Sequence, residues 1–78
     1  MDIFSFVTRF AAQFEQTPSD FFKADTAFRE AEEWDSLIAL SVIGMVDEDY
    51  GVKLTGDDIR NSVTINDIFA KIQVKMNA

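Results

Sequence analysis

The sequence predicts a small all-α fold, a four-helix bundle of three main helices and one short helix, with a long loop between the first two. Three observations predict it: apolar residues recur at helical spacing, capping residues precede these segments, and strand signals are weak. The only candidate strand, Gly51 to Leu54, is short and lies between two predicted helices. A chain of 78 residues has room for one small core, so we expect residues 1–78 to form a single free-standing domain.

The first predicted helix runs from about Asp2, a good capping residue, to Gln16. Its apolar residues recur at i, i+3, i+4, i+7 and i+11 and form one stripe: Ile3, Phe6, Val7, Phe10 and Phe14. From Thr17 to Trp34 the periodicity is poor, and this stretch is predicted to be a loop. Its aromatic residues predict that it packs through its own side chains: Phe21, Phe22 and Phe28.

The second predicted helix begins at Asp35 and runs to about Asp49, and Gly51 follows where helices commonly end. Its core-facing stripe is predicted to be Ala39, Val42, Ile43, Val46 and Tyr50. Further apolar residues lie off this stripe: Leu37, Ile38, Leu40, Gly44 and Met45. Two interpretations stay open, because the helix could be central and covered by the loop, or part of this surface could dock partners.

Two capping signatures predict the remaining helices. Thr55, with Asp58 three residues later, predicts a short helical turn that carries Ile59. Thr64 with Asp67 repeats this pattern before the last helix, which extends to about Met76. The core stripe of that helix is predicted to be Ile65, Ile68, Phe69 and Ile72.

The composition excludes several classes of function. The chain has no Cys and no His, so it lacks the usual thiol nucleophile, the usual general base and the commonest zinc ligands. We therefore expect a non-catalytic protein without a metal site. With 14 acidic and 7 basic residues the net charge is −7, which argues against nucleic acid as a partner. No apolar run is long enough to span a membrane and no secretory signal is visible, so we expect a cytoplasmic protein.

The negative charge is concentrated in the middle of the chain. Between Asp25 and Asp58 there are ten acidic residues and two basic ones, a net charge of −8. The negative electrostatic field of this segment favours basic partners and accelerates encounter with them. A contribution to solubility would explain the same charge equally well. The stretch from Asp47 to Asp58 superficially suggests a calcium loop, but Gly51 and Val52 stand where such a loop needs a ligand and a glycine.

Ser36 lies in the predicted first turn of the second helix, after the acidic segment that ends at Asp35. The simpler interpretation is a spare capping group beside Asp35. The functional interpretation uses the same geometry, because unpaired N–H groups and the helix dipole make this end receptive to a phosphate ester.

The chain resembles the acyl carrier protein family over essentially its whole length. The resemblance rests on the attachment motif Asp35-Ser36-Leu37 and on the helix that follows it, whose acidic end leads into Tyr50-Gly51-Val52. It implies that Ser36 carries a covalent 4′-phosphopantetheine arm, added from coenzyme A by a phosphopantetheinyl transferase. It also implies that Asp35 and Leu37 flank the arm and meet the transferase. We then expect a monomer that presents acyl thioesters to partner enzymes and leaves the chemistry to them.

The family also implies a docking surface on the second helix for basic surfaces of acyl-activating ligases, ketoacyl synthases or acyltransferases. The candidate docking residues are Ile38, Leu40, Ser41, Met45, Asp47 and Glu48. The chain departs from the common pattern at Trp34, where many members have glycine, and at Ile38 and Ser41, where acidic residues are frequent. We therefore expect a dedicated biosynthetic pathway rather than housekeeping fatty-acid synthesis. Two alternatives stay open: an aminoacyl (D-alanyl-type) carrier and an unmodified acidic interaction domain.

Overall fold

The computed structural model describes residues 2–77, which contain four α-helices and no β-strand. The helices are α1 (Ile3–Ala11), α2 (Ser36–Tyr50), α3 (Gly56–Arg60) and α4 (Ile65–Met76). Two 3₁₀ turns, Ser19–Phe21 and Phe28–Glu30, interrupt the long segment between α1 and α2. The prediction of an all-α bundle with three main helices and one short helix is confirmed. Within these 76 described positions, no helix has the length and apolar character needed to cross a bilayer.

The predicted caps fix where each helix begins. The Asp2 carboxylate accepts a hydrogen bond from the Ser5 N–H at 2.8 Å and starts α1. The Thr55–Asp58 and Thr64–Asp67 pairs form complete capping boxes at the starts of α3 and α4. At the other end of α2, Gly51 adopts φ of 68°, a left-handed conformation that a glycine tolerates without the strain of a Cβ.

The core is built around the Phe10 side chain, which is fully buried. Its ring lies within 6.3 Å, centroid to centroid, of five other aromatic rings, and we call these six residues the aromatic cluster: Phe6, Phe10, Phe14, Phe22, Phe28 and Trp34. Phe22 and Phe28 come from the segment between α1 and α2, so the prediction that this loop packs through its aromatic residues is confirmed for both. The third loop aromatic, Phe21, is 39% exposed.

Helix α1 ends five residues earlier than predicted, at Ala11 rather than Gln16. The N–H groups of Glu15, Gln16 and Thr17 donate to the Glu33 carboxylate at 2.7–3.0 Å, so they are not available for helical bonding. Phe14 nevertheless stays buried, because it follows a tight turn closed by its own N–H and the Ala11 carbonyl. The apolar stripe was therefore predicted correctly although the helix end was wrong.

The buried face of α2 is rotated relative to the predicted stripe. Val42, Met45 and Val46 are buried, whereas Ala39, Ile43 and Tyr50 are only half-buried. Ile38 is also half-buried and packs against the core. The 3.6-residue period of apolar residues alone does not locate this buried face.

The loop before α2 is tied to the second half of the chain by directional bonds. The Arg29 guanidinium donates to the Ser62 carbonyl at 2.5 Å and to the Ile59 carbonyl at 2.6 Å. The N–H of Asn66 donates to the Ala24 carbonyl at 2.8 Å. Because Arg29 satisfies carbonyls at the end of α3, this short helix is held against the loop.

Truncating the centre of the aromatic cluster should cost most of the stability. We expect Phe10→Ala to lower the free energy of unfolding by about 3–5 kcal/mol, because it leaves a cavity among five rings. Phe4→Ala on the same helix should change it by less than about 0.5 kcal/mol, since Phe4 is 80% exposed. Urea unfolding followed by circular dichroism measures both, and equal losses would contradict this core assignment.

Candidate functional site

Ser36 is the first residue of α2 and is exposed. Asp35 caps the helix in an extended conformation, and its carboxylate accepts the Ile38 N–H at 2.9 Å. The Asp35 carbonyl accepts the first helical bond, from Ala39 at 3.0 Å. The N–H groups of Ser36 and Leu37 therefore have no acceptor within the helix. They lie at the positive end of the helix dipole, beside the serine hydroxyl.

The residues just before Ser36 are held in place by contacts distant in sequence. The Glu33 carboxylate accepts hydrogen bonds from Glu15, Gln16 and Thr17, three consecutive residues after α1. The Trp34 ring stacks on Phe10 at 6.3 Å with an interplanar angle of 7° and meets Phe28 edge-on at 4.7 Å. The start of α2 is thus anchored to the aromatic cluster and to the segment that follows α1.

The pKa of the Glu33 carboxyl is shifted by two opposing effects. Partial burial raises the pKa, but the hydrogen bonds from Glu15, Gln16 and Thr17 outweigh it, and the pKa falls below its ordinary value. Glu33 is therefore ionised at neutral pH, and its bonds to the loop are charge-assisted.

A cavity of about 310 Å³ opens beside Ser36, between α2 and α3. Its walls are mainly apolar and come from Trp34, Ala39, Ile43 and Ile59. Three charged residues, Arg29, Asp35 and Arg60, also line it. Ser36 thus borders a mainly apolar space.

The predicted docking residues of α2 differ in exposure. Leu40 is 63% exposed and Ser41 is also exposed. Leu37, which was predicted to flank the arm, is 71% exposed. Ile38 is half-buried against the core and contributes only an edge to this face. Met45 is buried, at 7% exposure, and belongs to the core. This corrects the expectation that Met45 docks partners, because its side chain fills the space between α2 and its neighbours.

The acidic end of α2 is partly paired. Asp47 lies 2.8 Å from the Lys53 ammonium and Asp49 lies 3.1 Å from the Arg9 guanidinium, while Glu48 is exposed. Surface pairs of this kind are worth little and leave the acidic groups accessible. Among residues 2–77, no three acidic side chains are grouped as metal ligands would be.

Residues 5–72 match the family model described as "Phosphopantetheine attachment site". The chain belongs to this family. Members carry 4′-phosphopantetheine covalently on a serine, and they work with a modifying transferase and with biosynthetic enzymes. Phosphopantetheine-attachment domains are generally non-catalytic. No significant match to a curated protein or to a solved structure was found.

Two residues that shape this attachment domain were not among the predicted site residues. Glu33 and Arg29 make their bonds to residues 16–18 and 30–33 positions away. Local periodicity and capping rules address residues three or four apart, so neither residue carries a local signal of its role. Only the density of acidic residues before Ser36 is visible in the sequence.

The difference in burial on α2 can be measured. We expect Ile38→Asp to lower the free energy of unfolding by about 1–3 kcal/mol, because it places a charge against the core. Leu40→Asp introduces the same charge at a side chain that is 63% exposed, and should lose less than about 1 kcal/mol, mainly through helix propensity. Urea denaturation of the two variants decides the assignment, and a larger loss for Leu40→Asp would reverse it.

Proposed function

We propose that the protein is an acyl carrier protein and that Ser36 is its attachment serine. The observation that carries the proposal is the exposed Ser36 at the first position of α2, within Asp35-Ser36-Leu37 and inside the matched residues 5–72. An attachment serine has to be reached by a separate enzyme. Exposure at a capped, well-anchored helix start meets that requirement.

The residues around Ser36 fit a phosphate ester. The free N–H groups of Ser36 and Leu37 and the dipole of α2 stabilise negative charge at this position. On modification the Ser36 hydroxyl loses its proton, its oxygen bonds to the phosphorus donated by coenzyme A, and 3′,5′-ADP leaves. The bound arm supplies the thiol on which acyl groups are carried, which this chain without Cys does not have itself.

An acyl cargo agrees better with the cavity beside Ser36 than an aminoacyl cargo does. The apolar walls formed by Trp34, Ala39 and Ile43 favour aliphatic groups. The same lining holds two basic residues, Arg29 and Arg60, and one acidic residue, Asp35, so its net positive charge does not favour an ammonium group. We therefore place the acyl carrier first and keep the aminoacyl carrier as the alternative, with fatty-acid-like or specialised biosynthesis as its setting.

Partner enzymes are proposed to dock on the exposed face of α2. This docking surface consists of Leu37, Leu40, Ser41, Asp47 and Glu48, with Ile38 at its edge. An apolar centre with acidic groups at one end suits a basic partner surface. We propose that the protein itself is non-catalytic, acts as a monomer, and is located where coenzyme A and the transferase are found, in the cytoplasm. The proposed partners are a phosphopantetheinyl transferase and acyl-activating ligases, ketoacyl synthases or acyltransferases.

Intact mass spectrometry tests the attachment. Incubated with coenzyme A and a phosphopantetheinyl transferase, the protein should gain the mass of one arm. Ser36→Ala should abolish the gain. Ser41→Ala removes another exposed hydroxyl from the same helix and should leave the gain unchanged.

The other outcomes separate the alternatives. If neither the natural chain nor Ser41→Ala gains mass, the unmodified interaction domain is supported and the carrier proposal fails. If the arm is attached, the loaded group identifies the cargo. A thioester formed with an acyl-activating ligase supports the acyl carrier, and one formed only with an amino-acid-activating ligase supports the aminoacyl carrier.

The acidic end of α2 should steer the transferase. We expect the double reversal Asp47→Lys and Glu48→Lys to slow attachment about 5- to 10-fold at low salt, because it removes attraction to a basic surface. The difference should shrink to about 2-fold or less near 1 M salt, where the Debye length is about 3 Å. Reversing Asp20 and Asp25 changes the net charge equally but lies outside α2, and should slow attachment much less. Equal slowing by both pairs would contradict docking on α2.

A further inference from the structure

The Glu33 carboxylate occupies a cradle of donors formed by the residues that follow α1. Its Oε2 atom accepts the Glu15 N–H at 2.7 Å, and its Oε1 atom accepts the N–H groups of Gln16 at 3.0 Å and Thr17 at 2.9 Å. The Thr17 hydroxyl donates a fourth bond at 2.9 Å. Successive N–H groups that converge on one anion form a concave anion site, and here the chain fills it with its own carboxylate.

This contact joins two segments that no local bond connects. The Asp35 cap acts within α2, from Asp35 to Ile38, and defines where the helix begins. It does not fix the helix start relative to α1. The four bonds to Glu33 tie the helix start to the segment after α1, because Glu33 lies three residues before Ser36 and its partners are residues 15–17. They are charge-assisted and directional, unlike the apolar contact of Trp34.

We propose that Glu33 is a positioning residue for arm attachment: it holds the segment before α2 so that Ser36 is presented in the one arrangement that the transferase binds. The inference rests on the proposed function, since it concerns modification of Ser36. Glu33 itself touches no reacting atom in this account. Glu33 instead sets the fraction of molecules in the competent conformation, the one in which the transferase can bind Ser36.

The proposal predicts a particular kinetic signature. When the competent arrangement is only partly populated, the apparent affinity falls by that fraction, while the rate at saturation is retained. Loss of Glu33 bonding should therefore raise the KM of the transferase for this protein and leave kcat nearly unchanged. A residue that acted only on overall stability would change neither value at a temperature where the variant is folded.

The matched pair Glu33→Gln and Glu32→Gln isolates the contact. Both variants remove one negative charge at adjacent positions, so they alter steering of the transferase equally, but Glu32 is exposed. We expect Glu33→Gln to raise KM about 3- to 10-fold with kcat within about 2-fold, as partial loss of the competent state requires. Glu32→Gln should stay within about 2-fold of the natural protein in both values.

A third variant keeps the charge of Glu33 and removes one bond. Thr17→Val deletes the hydroxyl that donates at 2.9 Å, and should raise KM by an intermediate factor, about 2- to 3-fold. Thr17→Ser retains the hydroxyl and should restore the natural KM. If circular dichroism shows that Glu33→Gln is unfolded, the comparison of Thr17→Val with Thr17→Ser still tests the positioning role of Glu33.

The pH dependence of unfolding gives an independent check of the contact. The folded-state pKa of Glu33 is lowered, so its contribution to stability is present above the ordinary carboxyl pKa and is lost as the pH falls through the folded value. The natural protein should therefore have a higher Tm than Glu33→Gln at pH 7, and this difference should shrink as the pH falls below the ordinary carboxyl value of 4.5. A difference that does not shrink with falling pH would contradict ionic bonding of Glu33.

The kinetic outcomes are distinguishable from failure of the proposed function. If the natural protein gains no arm, the carrier assignment itself fails. If it gains the arm and Glu33→Gln has the same KM as Glu32→Gln, the assignment stands and the positioning role of Glu33 is overturned. A lower kcat with unchanged KM for Glu33→Gln would overturn it as well.

Discussion

The position of Ser36 depends on how the three residues before it are held. The Glu33 carboxylate accepts N–H groups that follow α1, the Trp34 ring stacks in the aromatic cluster, and Asp35 caps α2. Charge-assisted bonds give direction, aromatic contact excludes water, and the cap defines the first helical residue. The combination brings a hydroxyl to the surface at a fixed place in the bundle without burying it. A separate enzyme can reach such a group, which is the physical requirement for a carrier.

A carrier must also tolerate a phosphate ester while it attracts basic partners, and the charge distribution of this chain allows both. A protein of net charge −7 should repel a phosphate ester, yet the start of α2 presents unpaired N–H groups at short range. Asp47 lies 11 residues further along the same helix, about 16 Å from Ser36 at the α-helical rise. That separation exceeds the Debye length of about 8 Å at physiological salt, so the acidic end can attract a basic partner with little effect on the phosphate. One helix thus combines an anion-tolerant start with a cation-attracting end.

Most of the fold could be predicted from local patterns, because caps and apolar periodicity act over three or four residues. Asp2, Thr55 and Thr64 begin helices where the sequence indicated, and Gly51 ends α2. The incorrect predictions concern features that depend on contacts between residues distant in the sequence. Residues 15–17, predicted to be helical, bond instead to Glu33, and Met45 is buried in the core. Ser36 could be proposed as the attachment serine from its motif, whereas the bonds that anchor the residues before it connect positions that no local rule relates.

The location of the arm in the modified protein decides whether Ser36 is the attachment serine. No Lys or Arg lies between Arg29 and Lys53, so trypsin releases residues 30–53 as one peptide. This peptide contains both Ser36 and Ser41. Fragmentation of this peptide by tandem mass spectrometry assigns the added mass to one hydroxyl. Every modified fragment should place the arm on Ser36. An arm on Ser41, or on a serine outside this peptide, would contradict attachment at Ser36.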